Sequence, residues 1–252
     1  MEQAWIYALL STLIVSLIAL IGVVFFAIRY ERLQKILILL MSFSVGAMLG
    51  NAFFHLIPES YEHIESAHIT SWLIIAGFAI FFLIDQLLHV HTPAESETSV
   101  VKPYGYLSLY ADGIHNFVDG VLIGAAWLFS PEVGLATTIS VVFHEVPQEI
   151  SDFGILLKAG FSKKRALINN FIVAVTAILG TLLALWFGHE MEHFSEYVLP
   201  VAAGGFIYLG ASSLLPEVIK NSTKRSWPLY FAVVLLGLVL MYLFMEHGGH
   251  QH

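Results

Sequence analysis

Two short motifs concentrate side chains able to ligate a metal: His115-Asn116-Phe117-Val118-Asp119-Gly120 and His144-Glu145-Val146-Pro147-Gln148-Glu149. On a helix, positions i, i+1 and i+4 share a face. That spacing predicts that His115, Asn116 and Asp119 project together, and that His144, Glu145, Gln148 and Glu149 do the same. Imidazole plus carboxylate, in a chain that has no cysteine, suits Zn(II) and related first-row ions and rules out a thiolate site. Asn116 and Gln148 add amide oxygens, which bind more weakly than carboxylates. Two facing stripes of this composition form one or two sites for a divalent ion.

Both motifs interrupt apolar sequence long enough to cross a bilayer. An ionisable group at membrane depth costs roughly 2.5–3.5 kcal/mol even on the lenient insertion scale, so two clusters of them make metal handling the first hypothesis. The setting follows from composition. The 252 residues are 58% hydrophobic and only 12% charged, with a mean hydropathy of +0.79, against about 25% charged residues in a soluble domain. The expected fold class is an all-α integral membrane protein, because long apolar runs without strand-like alternation must satisfy their backbone internally. A net charge of -8 is not a nucleic-acid signature. The first apolar run has no basic stretch before it and is too long for a cleaved signal, so it reads as a spanning helix.

Eight apolar segments are expected to span, at about 4–28, 36–57, 69–88, 104–129, 133–157, 166–187, 197–219 and 227–245, each near the ~20 residues a helix needs. With eight spans, all 11 basic residues fall on one side: Arg29, Arg32 and Lys35; Lys102; Lys158, Lys163, Lys164 and Arg165; Lys220, Lys224 and Arg225. The opposite loops carry acids and histidines. By the positive-inside rule both termini face outside the cell. Spans four and five are joined by a short connection at Ser130 to Glu132, so they are antiparallel neighbours. His115 and His144 lie about 16 and about 13 residues from that turn, which at 1.5 Å per residue puts the clusters at comparable depth. Pro147 removes a backbone donor and frees a carbonyl near Phe143.

Span two ends in Pro58-Glu59 and span seven in Pro216-Glu217; aligned on these, Gly46 falls on Gly204. The two segments run in opposite directions, which points to an inverted repeat of spans 1–3 on spans 6–8 around the central spans 4 and 5. The whole chain, 1–252, forms one transmembrane domain. Residues 89–103 make a cytoplasmic loop, and 247–252 a short His-containing tail.

With its eight spans, outside termini and Leu-Ile-Pro-Glu end of span two, the paired pattern HNFxDG on the fourth helix and HExPxE on the fifth resembles the ZIP (Zrt/Irt-like) family of divalent-metal transporters. The resemblance covers nearly the whole chain. It implies a homodimer in the cell (inner or plasma) membrane that moves metal by alternating access through a site between helices four and five. Carried onto this sequence, it implies His115, His144 and Gln148 as primary ligands, with Asn116, Asp119 and Glu145 forming an adjoining site and Met48 a soft contact. Two departures stand out. Many members carry His or Glu where this chain has Gln148, and the sixth span, Ala166 to Phe187, contains no acid. One principal, weakly held metal position is therefore expected, and weak binding suits a site that must release its ion.

Depth orders a route. His55 and Glu59 lie toward the outer end of span two. Asp112 and Asp152 lie one turn cytoplasmic of His115 and Gln148, with Glu149 beside them and His89 and His91 beyond. The expected cargo is Zn(II), with Fe(II), Mn(II), Cd(II) and Co(II) compatible with the same ligands; no resident cofactor is expected. The rival class is an intramembrane zinc metalloprotease or hydrolase, because His144 to Gln148 is one residue short of HExxH. The missing second His and the helix-disturbing Pro147 argue against an enzyme. With no GxxxxGK[ST] pattern, ATP-driven pumping has no sequence support.

Overall fold

Apolar runs this long leave the backbone no partner but itself, and a computed structural model of the chain resolves them into helices. It describes residues 2–21, 30–90, 103–191 and 193–248, and among these there is no strand. The helices are α1 (Glu2–Ile18), α2 (Tyr30–Asn51), α3 (Ile57–His63), α4 (Ala67–Val90), α5 (Pro103–Phe129), α6 (Pro131–Lys158), α7 (Lys163–Ala174), α8 (Thr176–Glu190), α9 (Phe194–Tyr208), α10 (Leu215–Lys220) and α11 (Trp227–Gly248). Several join end to end. Lys35–His63, Lys163–Glu190 and Phe194–Lys220, with Gln3–Ile21 and Ala67–Gln86, are the five helices long and apolar enough to cross a membrane; Trp227–Leu243 is a shorter apolar helix. The polar motifs lie on α5 and α6, of 27 and 28 residues. The fold is that of an all-α integral membrane protein.

Local chemistry fixes the turn between α5 and α6. The Ser130 side chain accepts from the Val133 N–H and Pro131 opens α6, a combination that stops one helix and starts the next. Pro147 leaves α6 unbroken. The carbonyl four residues back, at Phe143, would lose its donor, and Ser44 of α2 supplies one at 2.5 Å.

The Pro-Glu echo has a structural counterpart. A π turn, Ala52–Leu56, precedes Ile57-Pro58-Glu59, and another, Leu209–Leu214, precedes Leu215-Pro216-Glu217. In each, the residue before the proline bonds five residues back: Ile57 to the Ala52 carbonyl and Leu215 to the Gly210 carbonyl. A proline cannot donate into the ladder and its ring crowds the carbonyl four back, so widening the preceding turn relieves both problems. The glycines match as well. A Cβ on Gly46 would run into the Val234 carbonyl of α11, and one on Gly204 into the Ile74 carbonyl of α4; reciprocally, Gly237 meets Phe43 and Gly77 meets Val201. Phe43 and Val201 are separated by the same offset as Gly46 and Gly204 and as Pro58 and Pro216. The α2/α11 and α4/α9 crossings thus correspond residue by residue.

The other close crossing binds α5 to α8, through Gly120 on Ala177 and Gly180 on Phe117. Thr181 donates to the Gly120 carbonyl at 2.9 Å and Thr176 to the Gly113 carbonyl at 2.7 Å. The main apolar cluster gathers Val15, Met48, Leu56, Ile123, Val141 and Phe206 from five of the helical segments. α4 runs through Val90, so His89 falls in its last turn, and α5 begins at Pro103. Residues 91–102, which include His91, and 249–252 of the tail lie outside the described residues.

Candidate metal centre

The α5/α6 turn makes the two helices antiparallel, and their motifs meet. His115 and Asp119 of α5 and His144 and Glu145 of α6 each aim a ligand atom into one spot, all four atoms within 4.8 Å of one another. His144 Nε2 is 2.9 Å from Asp119 Oδ2 and 3.6 Å from Glu145 Oε1. His115 Nε2 is 3.4 Å from Glu145 Oε1, 3.6 Å from Asp119 Oδ2 and 3.3 Å from His144 Nε2. Ligands at zinc-like bond lengths around a tetrahedral ion lie roughly 3.3–3.6 Å from each other; the separations of His115 from the other three and of His144 from Glu145 fall in that range, while His144 and Asp119 stand closer, at hydrogen-bond distance. Two carboxylates also neutralise a divalent charge. Asp119 and Glu145 are fully buried, and Asp119 Oδ1 and both Glu145 oxygens lack a hydrogen-bond donor among the described residues. A cation is the natural partner for such oxygens.

Packing orients the imidazoles. His144 Nδ1 donates to the Ser140 carbonyl at 3.0 Å, which points Nε2 at the cluster, the usual device for fixing a metal-binding tautomer. The two rings meet edge to face with centroids 5.5 Å apart, and Phe206 of α9 lies against His144 at 6.3 Å. Ser140 Oγ donates to the Ala47 carbonyl at 3.2 Å, tying this stretch of α6 to α2.

The remaining predicted residues surround this quartet. Asn116 turns back along its own helix, donating to Asp112 Oδ1 at 2.7 Å and to the Asp112 carbonyl at 3.2 Å; its own Oδ1 is buried without a donor among the described residues. Gln148 lines a cavity of about 360 Å³ with His115, Asp112, Asp152, Asp85 and Ser213. The cavity lies on the side of the quartet toward Pro103 and Lys158, so His115 touches both. Asp152 accepts from Ser108 Oγ at 3.0 Å, and Asp85 from the Tyr208 hydroxyl at 2.6 Å. Glu149 accepts from Asn170 of α7. Met48 is fully buried in the apolar cluster. His55 is buried in the first π turn, and Glu59 lies in the first turn of α3, where His63 Nδ1 donates to its carbonyl at 3.0 Å.

Several partners escaped the sequence reading. Asn170 is the polar group that α7 and α8 offer to the α6 motif, and Ser44, Ser108 and Ser140 act through backbone or carboxylate contacts. Single serines and asparagines in apolar helices carry no spacing that marks them; only Pro147 gave a signal, for a carbonyl acceptor near Phe143.

An all-helical integral membrane protein with four nitrogen and oxygen ligands converging between two antiparallel helices defines the class: a membrane protein built around a candidate divalent-metal centre. The comparisons with known proteins narrow it. The ZIP zinc transporter family matches over residues 2–104 and 91–245, and the chain belongs to that family. It is 28% identical to the zinc transporter YKE4 of Saccharomyces cerevisiae, over 95% of this chain and 80% of that protein. It is 31% identical to the zinc transporter ZIP13 of Pongo abelii, over 96% and 79%, and 30% identical to the zinc transporter zipt-7.2 of Caenorhabditis elegans, over 96% and 65%. The hydrolase alternative finds no support among these relatives.

Proposed function

We propose that this chain carries Zn(II) across a cell membrane toward the face that bears its basic residues, by alternating access through the His115, Asp119, His144 and Glu145 cluster. The observation that carries this reading is the convergence of two imidazoles and two buried carboxylates within 4.8 Å, at spacings that suit zinc. Membership of a family of zinc transporters supports the cargo. Oxygen ligands keep Fe(II), Mn(II), Cd(II) and Co(II) as competitors. The cavity beside His115 supports a release path on the basic side, past Gln148, Asp112 and Asp152, with His89 and His91 collecting the ion. Gln148, an amide where many members carry a stronger ligand, favours release.

By the positive-inside rule the basic face is cytoplasmic and both termini are outside. Moving a divalent ion inward down a negative potential is favourable by about 4.6 kcal/mol per 100 mV, so no ATP is required. We place the protein as a homodimer in the plasma or inner membrane. The test is radioactive zinc uptake. His144→Ala should abolish it and His91→Ala should lower it only in part; equal loss in both would sink the proposed order of sites.

A further inference from the structure

The cavity beside the quartet differs from it in chemistry. Its wall carries three carboxylates, Asp85 of α4, Asp112 of α5 and Asp152 of α6, with the Gln148 amide among them. No Lys or Arg is among the residues that line it, and its one imidazole, His115, is shared with the quartet. Acids of one sign around a recess with low-dielectric walls concentrate cations there. One of the three is unsatisfied. Asp112 is 3% exposed, Asn116 holds its Oδ1, and its Oδ2 has no hydrogen-bond donor among the described residues. Leaving a buried carboxylate oxygen unpaired is costly, and a cation, or water bound to one, removes that cost.

The other two carboxylates are held in place. The Tyr208 hydroxyl donates to Asp85 Oδ2 at 2.6 Å, and Ser108 Oγ to Asp152 Oδ1 at 3.0 Å. Such a bond fixes a carboxylate while using one of its roughly four lone-pair sites. The space between them is wide. A water needs at least ~10–15 Å³ of such space, so a cavity of about 360 Å³ admits an ion together with its octahedral shell of waters. Mg(II) sheds water reluctantly, keeps most of that shell and binds through one or two carboxylates, whereas Ca(II) takes its oxygens directly. Oxygen acceptors spread around a roomy recess are what the water hydrogens of a hydrated ion require.

From these observations we propose that the cavity binds Mg(II) with its water shell intact, held by Asp85, Asp112 and Asp152, and that the bound ion brakes the release of zinc. Mg(II) here is a resident regulator and not cargo. It stands where zinc must go next: His115 belongs both to the quartet and to the cavity wall, so a second divalent charge in the cavity repels the zinc that leaves the quartet. Mg(II) is the abundant free divalent cation of cytoplasm, the compartment this side of the protein is read to face. Binding needs only the cavity; the brake rests on the transport reading above.

The probes are Mg(II) alone and cobalt(III) hexammine, which mimics the hydrated ion but cannot exchange its ligands and so cannot bind the quartet directly. Calorimetric titration of the zinc-free full chain in detergent should show saturable Mg(II) binding that cobalt hexammine displaces. Asp85→Asn removes a charge but keeps an oxygen for the Tyr208 hydroxyl. It should weaken Mg(II) binding about tenfold, the loss of one charge-assisted hydrogen bond. Absent binding, binding that cobalt hexammine leaves in place, or an affinity unmoved by Asp85→Asn each overturns the site; if that variant does not fold, the competition in wild type decides. Zinc uptake into proteoliposomes then tests the brake, with either probe on both faces so that the orientation of the protein does not matter. A fall in maximal rate is expected. A rise in KM alone, which is competition at entry, or no change overturns the brake. No zinc uptake even without Mg(II) refutes the transport reading and the brake with it, and the titration still decides the site.

Discussion

Asp119 and Glu145 carry the electrostatics of the centre. Each is fully buried beside two imidazoles, and together they match a divalent charge, so a bound ion and these ligands would form a neutral unit in a low-dielectric setting. Removing either charge should leave the loaded site net positive. Asp119→Asn and Glu145→Gln are each expected to cut zinc uptake by at least ~10–100-fold, the loss that even outer-shell ligand partners produce, with protein levels unchanged on an immunoblot. Gln148→His should alter the order in which other divalent ions compete with labelled zinc; an unaltered order would put Gln148 outside the coordination sphere. Much of this was legible in the residues. The i, i+1, i+4 spacing brought out both motifs, and all four members of the quartet come from them. Asn116 has the right spacing but a competing partner one turn back, since Asp112 is close enough to capture its amide. Glu149 is capped by Asn170, twenty-one positions away, and no local pattern announces a contact of that kind.

Helix by helix, proline and glycine decide how the motif-bearing segments are held. Pro147 frees the Phe143 carbonyl, and Ser44 takes it. Ser44→Ala should therefore destabilise the protein by about 0.6–2 kcal/mol, the span of interhelical hydrogen bonds in membranes, read as a lower midpoint in thermal unfolding; no change would mean that the carbonyl finds another donor. Gly46 and Gly204 sit at matched crossings where a Cβ would strike a backbone carbonyl, and backbone cannot move aside as a side chain can. Gly46→Val and Gly204→Val are both expected to abolish stable folding, seen as loss of a monodisperse peak in size-exclusion chromatography. The sequence displayed these positions as an echo around Pro-Glu. It did not display the π turns, because a widened turn emerges when proline chemistry meets helix continuity, and a proline at a helix start would have been equally consistent with the same residues.

The molecule as a whole holds its polar centre among helices whose other surfaces are apolar. The α2/α11 and α4/α9 crossings match glycine for glycine, Gly46 with Gly204 and Gly77 with Gly237, under offsets that differ by two residues, and α5 and α6 carry the quartet. The cavity beside His115 reaches Asp112 and Asp152, toward the Pro103 end of α5 and the Lys158 end of α6. Ser213→Cys in the otherwise cysteine-free chain should react with a membrane-impermeant thiol reagent applied from the cytoplasmic face and resist it from outside. Reaction only from outside would reverse the proposed orientation. The most direct test of the account is uptake of labelled zinc into liposomes holding the purified protein, compared between wild type and His144→Ala. Saturable uptake in the wild type and background uptake in the variant are the predicted results. Zinc uptake by His144→Ala at the wild-type rate would contradict the claim that the ion passes through the His115, Asp119, His144 and Glu145 cluster.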